Sequence, residues 1–211
     1  MTADETDAEH WAKYYEVTAE RPPWQTVCRA IDLFAAEDAA AGRTTPDGGR
    51  LAVDLGCGAG RDARQLLHAG WRVVAVDREP AARTALEKYV EPELLPRLEI
   101  ITADLAAAEV PPSDLVNASL CLPYLAPDAY RAAWDRIMAA LRPGTRFAAM
   151  LFGDLDGAAG EPDMTCLPPE RIAADLDDFE LEFWSEKEED TKTALGEEHH
   201  YHLVEFVARR R

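Results

Sequence analysis

Hydrophobic positions along the chain alternate between two spacings, and this alternation predicts strands followed by helices. Short apolar runs typical of buried strands fall at 51–56, 71–77, 98–104, 114–122 and 146–153. Segments with apolar positions at helical spacing predict helices over 61–69, from Pro80 to about Val90, and over 128–141. Alternation of this kind predicts a parallel sheet with helices on both faces.

The two ends of the chain depart from this alternation. Residues 7–41 are predicted to be helical, and the turn-rich segment 42–49 leads into the first strand. Near the other end, a helix over 169–176 precedes strands over 179–186 and 200–208, which a loop alone connects. Strands connected in this way form an antiparallel hairpin. The pattern therefore predicts a Rossmann-like doubly wound α/β sheet of five parallel strands plus a C-terminal antiparallel hairpin, seven strands in all.

The most specific motif is VDLGCGAGRD at 53–62. Its glycines follow a predicted strand and precede a predicted helix, where they let the backbone turn tightly and approach a ligand. A dinucleotide fingerprint, GxGxxG, would need a glycine where Arg61 stands. Asp54 is poorly placed for a pyrophosphate and well placed for a cationic ligand. The three glycines are Gly56, Gly58 and Gly60.

The segment DLGCGAG resembles motif I of class I S-adenosylmethionine-dependent methyltransferases, and the resemblance covers roughly 50–153. It implies that Asp54 lies near the methionine moiety of the cofactor and that Asp77 accepts both ribose hydroxyls. It also implies that Asp104 accepts the adenine amino group, with Arg78 and Leu105 beside the ring. The cofactor contacts expected from the resemblance are Asp54, Gly56, Cys57, Gly58, Gly60, Asp77, Arg78, Asp104, Leu105 and Asn117.

Several of these residues have structural alternatives. Asp77 could cap the helix that begins at Pro80, a role compatible with ribose binding. Asp104 could serve a turn, Cys57 could serve packing, and Asn117 lies near the middle of its strand. With the resemblance, the chain divides into an N-terminal helical cap or lid (1–49), a cofactor-binding core (50–153) and a C-terminal helix and hairpin (154–211), within a single methyltransferase domain, 1–211.

The acceptor side of the site is less well defined. NASLCLPY at 117–124 departs from the [ND]PPY signature of amino-directed DNA and protein methyltransferases, and the whole chain is similar to small-molecule methyltransferases of the tellurite-resistance and thiopurine-like kind. The resemblance implies methyl transfer to a small molecule by direct in-line displacement. Catalytic residues stay unassigned; the candidates are Tyr124, His199 and His200. The hairpin topology predicts that His199 or His200 lies near the substrate pocket and not at the opposite, amino edge of the sheet.

Aromatic residues near the N-terminus favour either core packing or a lid over the cofactor. They and an accompanying arginine are Trp11, Tyr14, Tyr15, Arg21 and Trp24. No metal is expected, because His199, His200 and His202 lack acidic or cysteine partners at ligand spacing. Two other functions stay open: a non-catalytic S-adenosylmethionine-binding partner or sensor, and a nucleotide-dependent oxidoreductase.

Charge and hydropathy narrow the possible partners. With 40 acidic and 22 basic residues, the net charge of −18 repels nucleic acid and anionic lipid. No apolar run approaches the roughly 20 residues that span a bilayer, and the acidic N-terminus lacks a signal-peptide pattern. We expect a small-molecule substrate, no nucleic acid, no membrane and a cytoplasmic location. The oligomeric state stays open.

Overall fold

The computed structural model describes residues 3–45 and 49–211, and its strands form one sheet flanked by helices. The strands are β1 (Leu51–Leu55), β2 (Arg72–Asp77), β3 (Leu98–Thr102), β4 (Leu115–Ser119), β5 (Arg146–Phe152), β6 (Phe179–Lys192) and β7 (Glu198–Arg210). The helices are α1 (Ala3–Thr18), α2 (Gln25–Ala40), α3 (Arg61–His68), α4 (Pro80–Tyr89), α5 (Pro127–Ala140) and α6 (Pro169–Ala174).

The sheet has the strand order β3-β2-β1-β4-β5-β7-β6. Strands β1 to β5 are parallel, and β7 runs antiparallel between β5 and β6. This confirms the predicted five parallel strands with a C-terminal hairpin. From β1 the strand order runs outward in both directions, with β2 on one side and β4 on the other, so the order reverses between β1 and β4. Ligands of open α/β sheets bind at the carboxyl ends of the strands at such a point.

Alternate residues of the strands feed two hydrophobic cores, one on each face of the sheet. On one face, Val53 and Phe147 pack in a cluster with Trp134 of α5. On the other face, Ala52 packs with Phe34 of α2 and with residues of α3. Because successive side chains of a strand point to opposite faces, strands buried on both sides need apolar residues at nearly every position. The continuous apolar runs of the sequence meet this requirement.

Two elements differ from their predicted limits. The N-terminal helical segment is interrupted between α1 and α2 at a bend that contains Pro22 and Pro23, since proline lacks the N–H that would continue a helix. The hairpin strands are longer than expected, and their pairing extends to Lys192 and Glu198. The outer half of β6 is almost entirely charged and exposed, so backbone pairing with β7 forms this part of the strand without an apolar pattern.

Membrane-spanning helices and metal-ligand clusters can be looked for among the described residues, 3–45 and 49–211. There, no helix is both long and apolar enough to cross a membrane. Among the same residues, no group of three or more His, Cys, Asp or Glu side chains is arranged to hold a metal ion. The division of the chain into cap, core and C-terminal unit stays a prediction.

Candidate functional site

A cavity that is partly open to solvent lies at the carboxyl ends of β1 to β4, beneath α1, and its empty space is about 920 Å³ when the open solvent is included. The predicted cofactor residues that line it are Asp54, Gly56, Cys57, Gly58, Asp77, Arg78, Asp104 and Leu105. The parallel topology thus gathers acids from three strand ends around one glycine loop. Gly60 and Asn117, also expected to contact the cofactor, do not line this cavity.

The glycine loop turns through three left-handed residues. Gly56, Gly58 and Gly60 have φ of +63°, +50° and +81°, a region that glycine adopts without steric cost. A Cβ atom at Gly56 would collide with Cys121 and one at Gly60 with Leu86, whereas one at Gly58 would crowd the ring of Tyr15. Gly60 therefore serves the packing of α3 against α4, and only the first two glycines face the cavity.

Asp77 ends β2 as a buried carboxylate that already has three protein donors. Its Oδ2 accepts the N–H of Gly58 at 2.8 Å, and its Oδ1 accepts the N–H of Glu79 at 2.9 Å and the hydroxyl of Tyr15 at 3.0 Å. Burial and the neighbouring Asp77 charge raise the pKa of the Tyr15 hydroxyl, so it remains a donor. The bond to Glu79, just before α4, supports the predicted capping role as well.

Asp54 and a second buried acid, Asp62, lie together at the floor of the cavity. The side-chain amide of Asn117 donates to Asp54 Oδ1 at 2.8 Å and to Asp62 Oδ2 at 3.0 Å. Asp62 Oδ1 accepts the N–H of Trp24 at 2.8 Å. Burial above all raises the pKa of both carboxyls, and the charge of Asp62 raises that of Asp54 further. The pair places several carboxyl oxygens at the floor of the cavity, where burial disfavours two full negative charges.

The adenine side of the predicted site is more open. Asp104 is exposed and accepts the N–H of Ala106 at 2.7 Å, so the turn role allowed by the sequence is present. Arg78 is 42% exposed in its side chain and pairs with Glu79 at 3.1 Å. Leu105 lines the cavity beside them. These residues border the cavity at the ends of β2 and β3 without closing it.

Helix α1 covers the cavity with aromatic rings. The aromatic residues that α1 and the following turn contribute to its lining are Trp11, Tyr14, Tyr15 and Trp24. Trp11 meets Tyr124 edge to face, with ring centres 5.3 Å apart. The guanidinium of Arg61 lies 3.9 Å from the centre of the Trp24 ring, and its buried Nε has no hydrogen-bond partner. Arg21 is not among the lining residues.

The comparisons with known proteins agree with this geometry. Residues 52–144 match a family model described as a methyltransferase domain. Residues 52–144 are thus similar to a methyltransferase domain. This confirms the resemblance seen in DLGCGAG. Because the matched segment includes the glycine loop and all three strand-end acids, it contains most of the cavity described above.

Solved structures of methyltransferases share the fold. TehB from Haemophilus influenzae aligns with a TM-score of 0.63 at 16% identity, over 84% of this chain and 62% of that chain. The 1,6-didemethyltoxoflavin-N1-methyltransferase of Burkholderia thailandensis, solved with its substrate and S-adenosylhomocysteine, aligns with a TM-score of 0.58 at 24% identity, over 88% of this chain and 78% of that chain. These likenesses show that the chain shares the fold of these proteins.

A curated relative is named as a synthase. Carboxy-S-adenosyl-L-methionine synthase of Ectopseudomonas mendocina is 30% identical over 129 residues, which is 58% of this chain and 51% of the relative. The chain spans about half the length, or less, of the curated relatives that it matches. The shared part shows a related sequence, and the activity of this chain has to be argued from its own residues.

The structure places only one of the three catalytic candidates at the cavity, which is Tyr124. His199 points to the buried Asp156, with its Nε2 2.8 Å from Oδ1. His200 Nδ1 lies 2.8 Å from Asp190 on the exposed hairpin, and this hydrogen bond raises its pKa. Neither histidine is among the residues that line the cavity, and a place for one of them near the substrate pocket stays a prediction. The hairpin extends past the end of β5, and the rings of His199 and His200 bond to Asp156 and Asp190, which do not line the cavity.

The structure places Asn117 behind the cavity lining and adds Asp62, which was not among the predicted residues. Asn117 is fully buried and contacts the two carboxylates, so it positions acids and does not reach the cavity. Asp62 lines the cavity, and the available signal was its place in the first turn of α3, directly after the glycine loop. Only the glycine loop separates β1 from α3, so an acid in the first turn of α3 lies close to the end of β1.

Proposed function

We propose that this chain binds S-adenosylmethionine in the cavity and transfers its methyl group to a small-molecule acceptor. The observation that carries the proposal is the convergence of Asp54, Asp77 and Asp104 on one cavity beside the glycine loop. Each acid lies at or just past the end of a different strand, and together they match the successive cationic, ribose and adenine parts of that cofactor. The matched methyltransferase family model supports the same conclusion.

The cavity residues fit this cofactor better than a dinucleotide. Asp54 Oδ2 is buried without a hydrogen-bond partner, so it suits a ligand that brings a donor and a positive charge. The same carboxylates would repel a pyrophosphate. At Gly56 and Gly58 a side chain would collide with or crowd Cys121 and Tyr15, so the backbone there is bare toward the cavity.

The bound cofactor would supply an electrophilic methyl group on a sulfonium. The residues of the chain would bind and orient it: Asp54 holds the cationic end, Asp77 the ribose, and Asp104 with Leu105 the adenine. Trp11 and the other rings of α1 exclude water from the reacting atoms. Orientation of two reactants in one site accounts for much of the rate enhancement in a direct displacement, so no dedicated base is required.

A small and largely apolar acceptor suits the remaining lining. Trp11, Tyr14 and Tyr124 form an aromatic wall over the strand ends. The net charge of −18 opposes nucleic acid or an anionic membrane as the partner. The structural neighbour from Burkholderia thailandensis is named for methylation of a small molecule. A cytoplasmic location stays a prediction from the sequence.

A second candidate is the modification of the cofactor itself. The curated relatives are named for the synthesis of carboxy-S-adenosyl-L-methionine, a derivative of the same molecule. A reaction with a carboxylated partner would need a cation at the cavity, and Arg61, with its unpartnered Nε, provides one. Mass spectrometry of the nucleoside after incubation distinguishes the two activities: methyl transfer leaves S-adenosylhomocysteine, whereas modification leaves a heavier sulfonium.

Calorimetry tests the cofactor assignment. We expect S-adenosylhomocysteine to bind in the micromolar range and NAD(P) not to bind. Asp77→Asn should weaken the binding by at least about tenfold, since it replaces charge-assisted hydrogen bonds to the ribose. Glu79→Gln removes an equal charge two residues away, outside the cavity lining, and should change affinity less than about twofold. Binding of NAD(P) without S-adenosylhomocysteine would contradict the proposal and favour an oxidoreductase.

A further inference from the structure

One end of the cavity extends beyond the acids assigned to the cofactor. The strand order β3-β2-β1-β4 puts those acids at the ends of β3, β2 and β1, so the proposed cofactor would extend along these three strands. The cavity continues to the end of β4, where Leu120 and Tyr124 line it. An acceptor that meets the methyl group beyond Asp54 therefore has to lie against this end of the cavity.

Trp11 of α1 lies over this end and carries an unsatisfied donor. Its ring meets that of Tyr124 edge to face, at an angle of 84° and with ring centres 5.3 Å apart. Its Nε1 is buried and has no hydrogen-bond partner among the described residues. An indole N–H can only donate, and buried polar atoms are nearly always hydrogen-bonded. Trp11 Nε1 therefore indicates where a hydrogen-bond-accepting atom of a ligand belongs.

The turn after β4 is held in a fixed and strained conformation. Leu120 has φ of +51° and is the one non-glycine residue with positive φ in the described part of the chain. Conformations of this kind cost free energy and cluster at functional sites. Thr165 anchors the turn, since its N–H donates to the Pro123 carbonyl at 2.9 Å and its hydroxyl to the Leu125 carbonyl at 2.7 Å. The wall that faces an acceptor is thus in place before the acceptor binds.

Tyr124 offers an aromatic surface at this wall. It is 37% exposed, although its ring contacts those of Trp11 and Phe152, with centres 5.3 and 5.7 Å away. A ring held in this way suits a flat aromatic ligand, because aromatic pairs gain from offset-stacked and edge-to-face contacts. Since four carboxyl groups and two guanidinium groups line the cavity, a neutral hydrogen-bond-accepting atom suits it better than an anion.

From this arrangement, and resting on the proposed function, we propose that Trp11 and residues 120–124 form the acceptor subsite, and that it selects flat aromatic molecules carrying a neutral ring nitrogen or carbonyl oxygen. That atom accepts the N–H of Trp11, and the aromatic ring of the acceptor packs on Tyr124. Trp11 is therefore a specificity-determining residue for the acceptor, in addition to its part in excluding water. An aromatic molecule without such an atom leaves the Trp11 donor unsatisfied.

Two flat bicyclic probes that differ in one ring atom test this subsite. Quinoline carries a ring nitrogen, whereas naphthalene has the same shape and no hydrogen-bond-accepting atom. Their dissociation constants are measured by NMR titration of the full chain saturated with S-adenosylhomocysteine, near neutral pH. Trp11→Phe keeps an aromatic ring and removes the N–H, so it should weaken quinoline about five- to tenfold and naphthalene less than about twofold. Tyr124→Leu should weaken both probes by a similar factor, because both pack on its ring.

A second measurement observes the Trp11 donor directly. The chain has five tryptophans, so the spectrum of a chain with isotope-labelled tryptophan contains five indole N–H signals. The signal missing from Trp11→Phe belongs to Trp11. In the wild type, quinoline should move this signal downfield, as expected for a new hydrogen bond, and naphthalene should not. If Trp11→Phe fails to fold, replacing the other four tryptophans one at a time assigns the signal by elimination.

The outcomes separate the acceptor subsite from the cofactor assignment. Trp184→Phe is the matched control, because Trp184 stacks on Phe206 outside the cavity lining, and it should leave both probes unaffected. Absence of quinoline binding, equal losses for the two probes in Trp11→Phe, or a Trp11 signal that quinoline does not move would each overturn the subsite and leave the proposed function intact. Failure of the wild type to bind S-adenosylhomocysteine would overturn both proposals.

Discussion

At the scale of single residues, the contact between Tyr15 and Asp77 affects how the ribose can bind. A carboxylate offers about four acceptor positions, and three of those on Asp77 already have protein donors. Two ribose hydroxyls need two positions. The Tyr15 hydroxyl must therefore leave Asp77 before both can bind there, so the expected pairing of Asp77 with the ribose requires a movement of this side chain.

Removing the Tyr15 hydroxyl should tighten cofactor binding. Tyr15→Phe keeps the ring over Gly58 and frees an acceptor position on Asp77, so affinity for S-adenosylhomocysteine should rise about three- to tenfold, measured by calorimetry. Tyr89→Phe is the matched control, since Tyr89 lies on α4 with its hydroxyl near Lys88 and outside the cavity lining. Weaker binding in Tyr15→Phe would show that the hydroxyl supports the ligand instead of competing with it.

At the scale of elements, the last glycine of the loop links two helices. Gly60 is left-handed at φ +81° and its Cα faces Leu86 of α4, so it sets how closely α3 approaches α4. Two costs thus act on any larger residue there: backbone strain and overpacking. Another left-handed glycine, Gly160 at φ +94°, has open space around it and allows the two costs to be separated.

Gly60→Ala should destabilise the fold more than Gly160→Ala. The left-handed backbone costs about 1–2 kcal/mol in either variant, and the collision with Leu86 adds about 1–3 kcal/mol in Gly60→Ala alone. Urea unfolding followed by circular dichroism measures both. Equal losses of unfolding free energy would mean that α4 moves away at no cost and that Gly60 does not control the helix spacing.

Long-range contacts also explain what the sequence could and could not show. The strand ends and their acids were predictable because apolar runs and the glycine loop are local signals. The bond from Tyr15 to Asp77 joins residues 62 positions apart, and that from Asn117 to Asp62 spans 55. No local pattern marks such pairs. The sequence could not show the direction of the His199 ring, because the length of the hairpin arms is set by backbone pairing in a charged segment.

At the scale of the whole molecule, the acids of the cavity floor oppose folding. Asp54 has a raised pKa in the folded protein, so between its ordinary pKa and the raised value the folded state binds more protons than the unfolded state. Stability therefore falls as pH rises through this range. In the unfolded chain Asp54 has its ordinary pKa. The contribution of Asp54 to folding stability is therefore fully present only below that ordinary pKa.

Asp54→Asn should stabilise the ligand-free protein at pH 7. The asparagine oxygen can still accept from Asn117, while the buried charge is gone, and the melting temperature should rise by about 2–4 °C for each kcal/mol gained. The gain should shrink as pH is lowered toward 4, where the native carboxyl is protonated too. Calorimetric melting at several pH values checks this. A pH-independent difference, or a lower melting temperature at pH 7, would contradict the assignment of a strained charge.

The long outer strand has a consequence for how copies of this molecule meet. Strand β6 lies at an edge of the sheet, and an edge strand exposes backbone groups that a second chain can pair with. Its outer half reads EKEEDTK, exposed through most of its length. Two such edges approaching each other would bring rows of mostly like charges together. The acidity of β6 therefore discourages the intermolecular strand addition that leads to aggregation, which an apolar edge of 14 residues would invite.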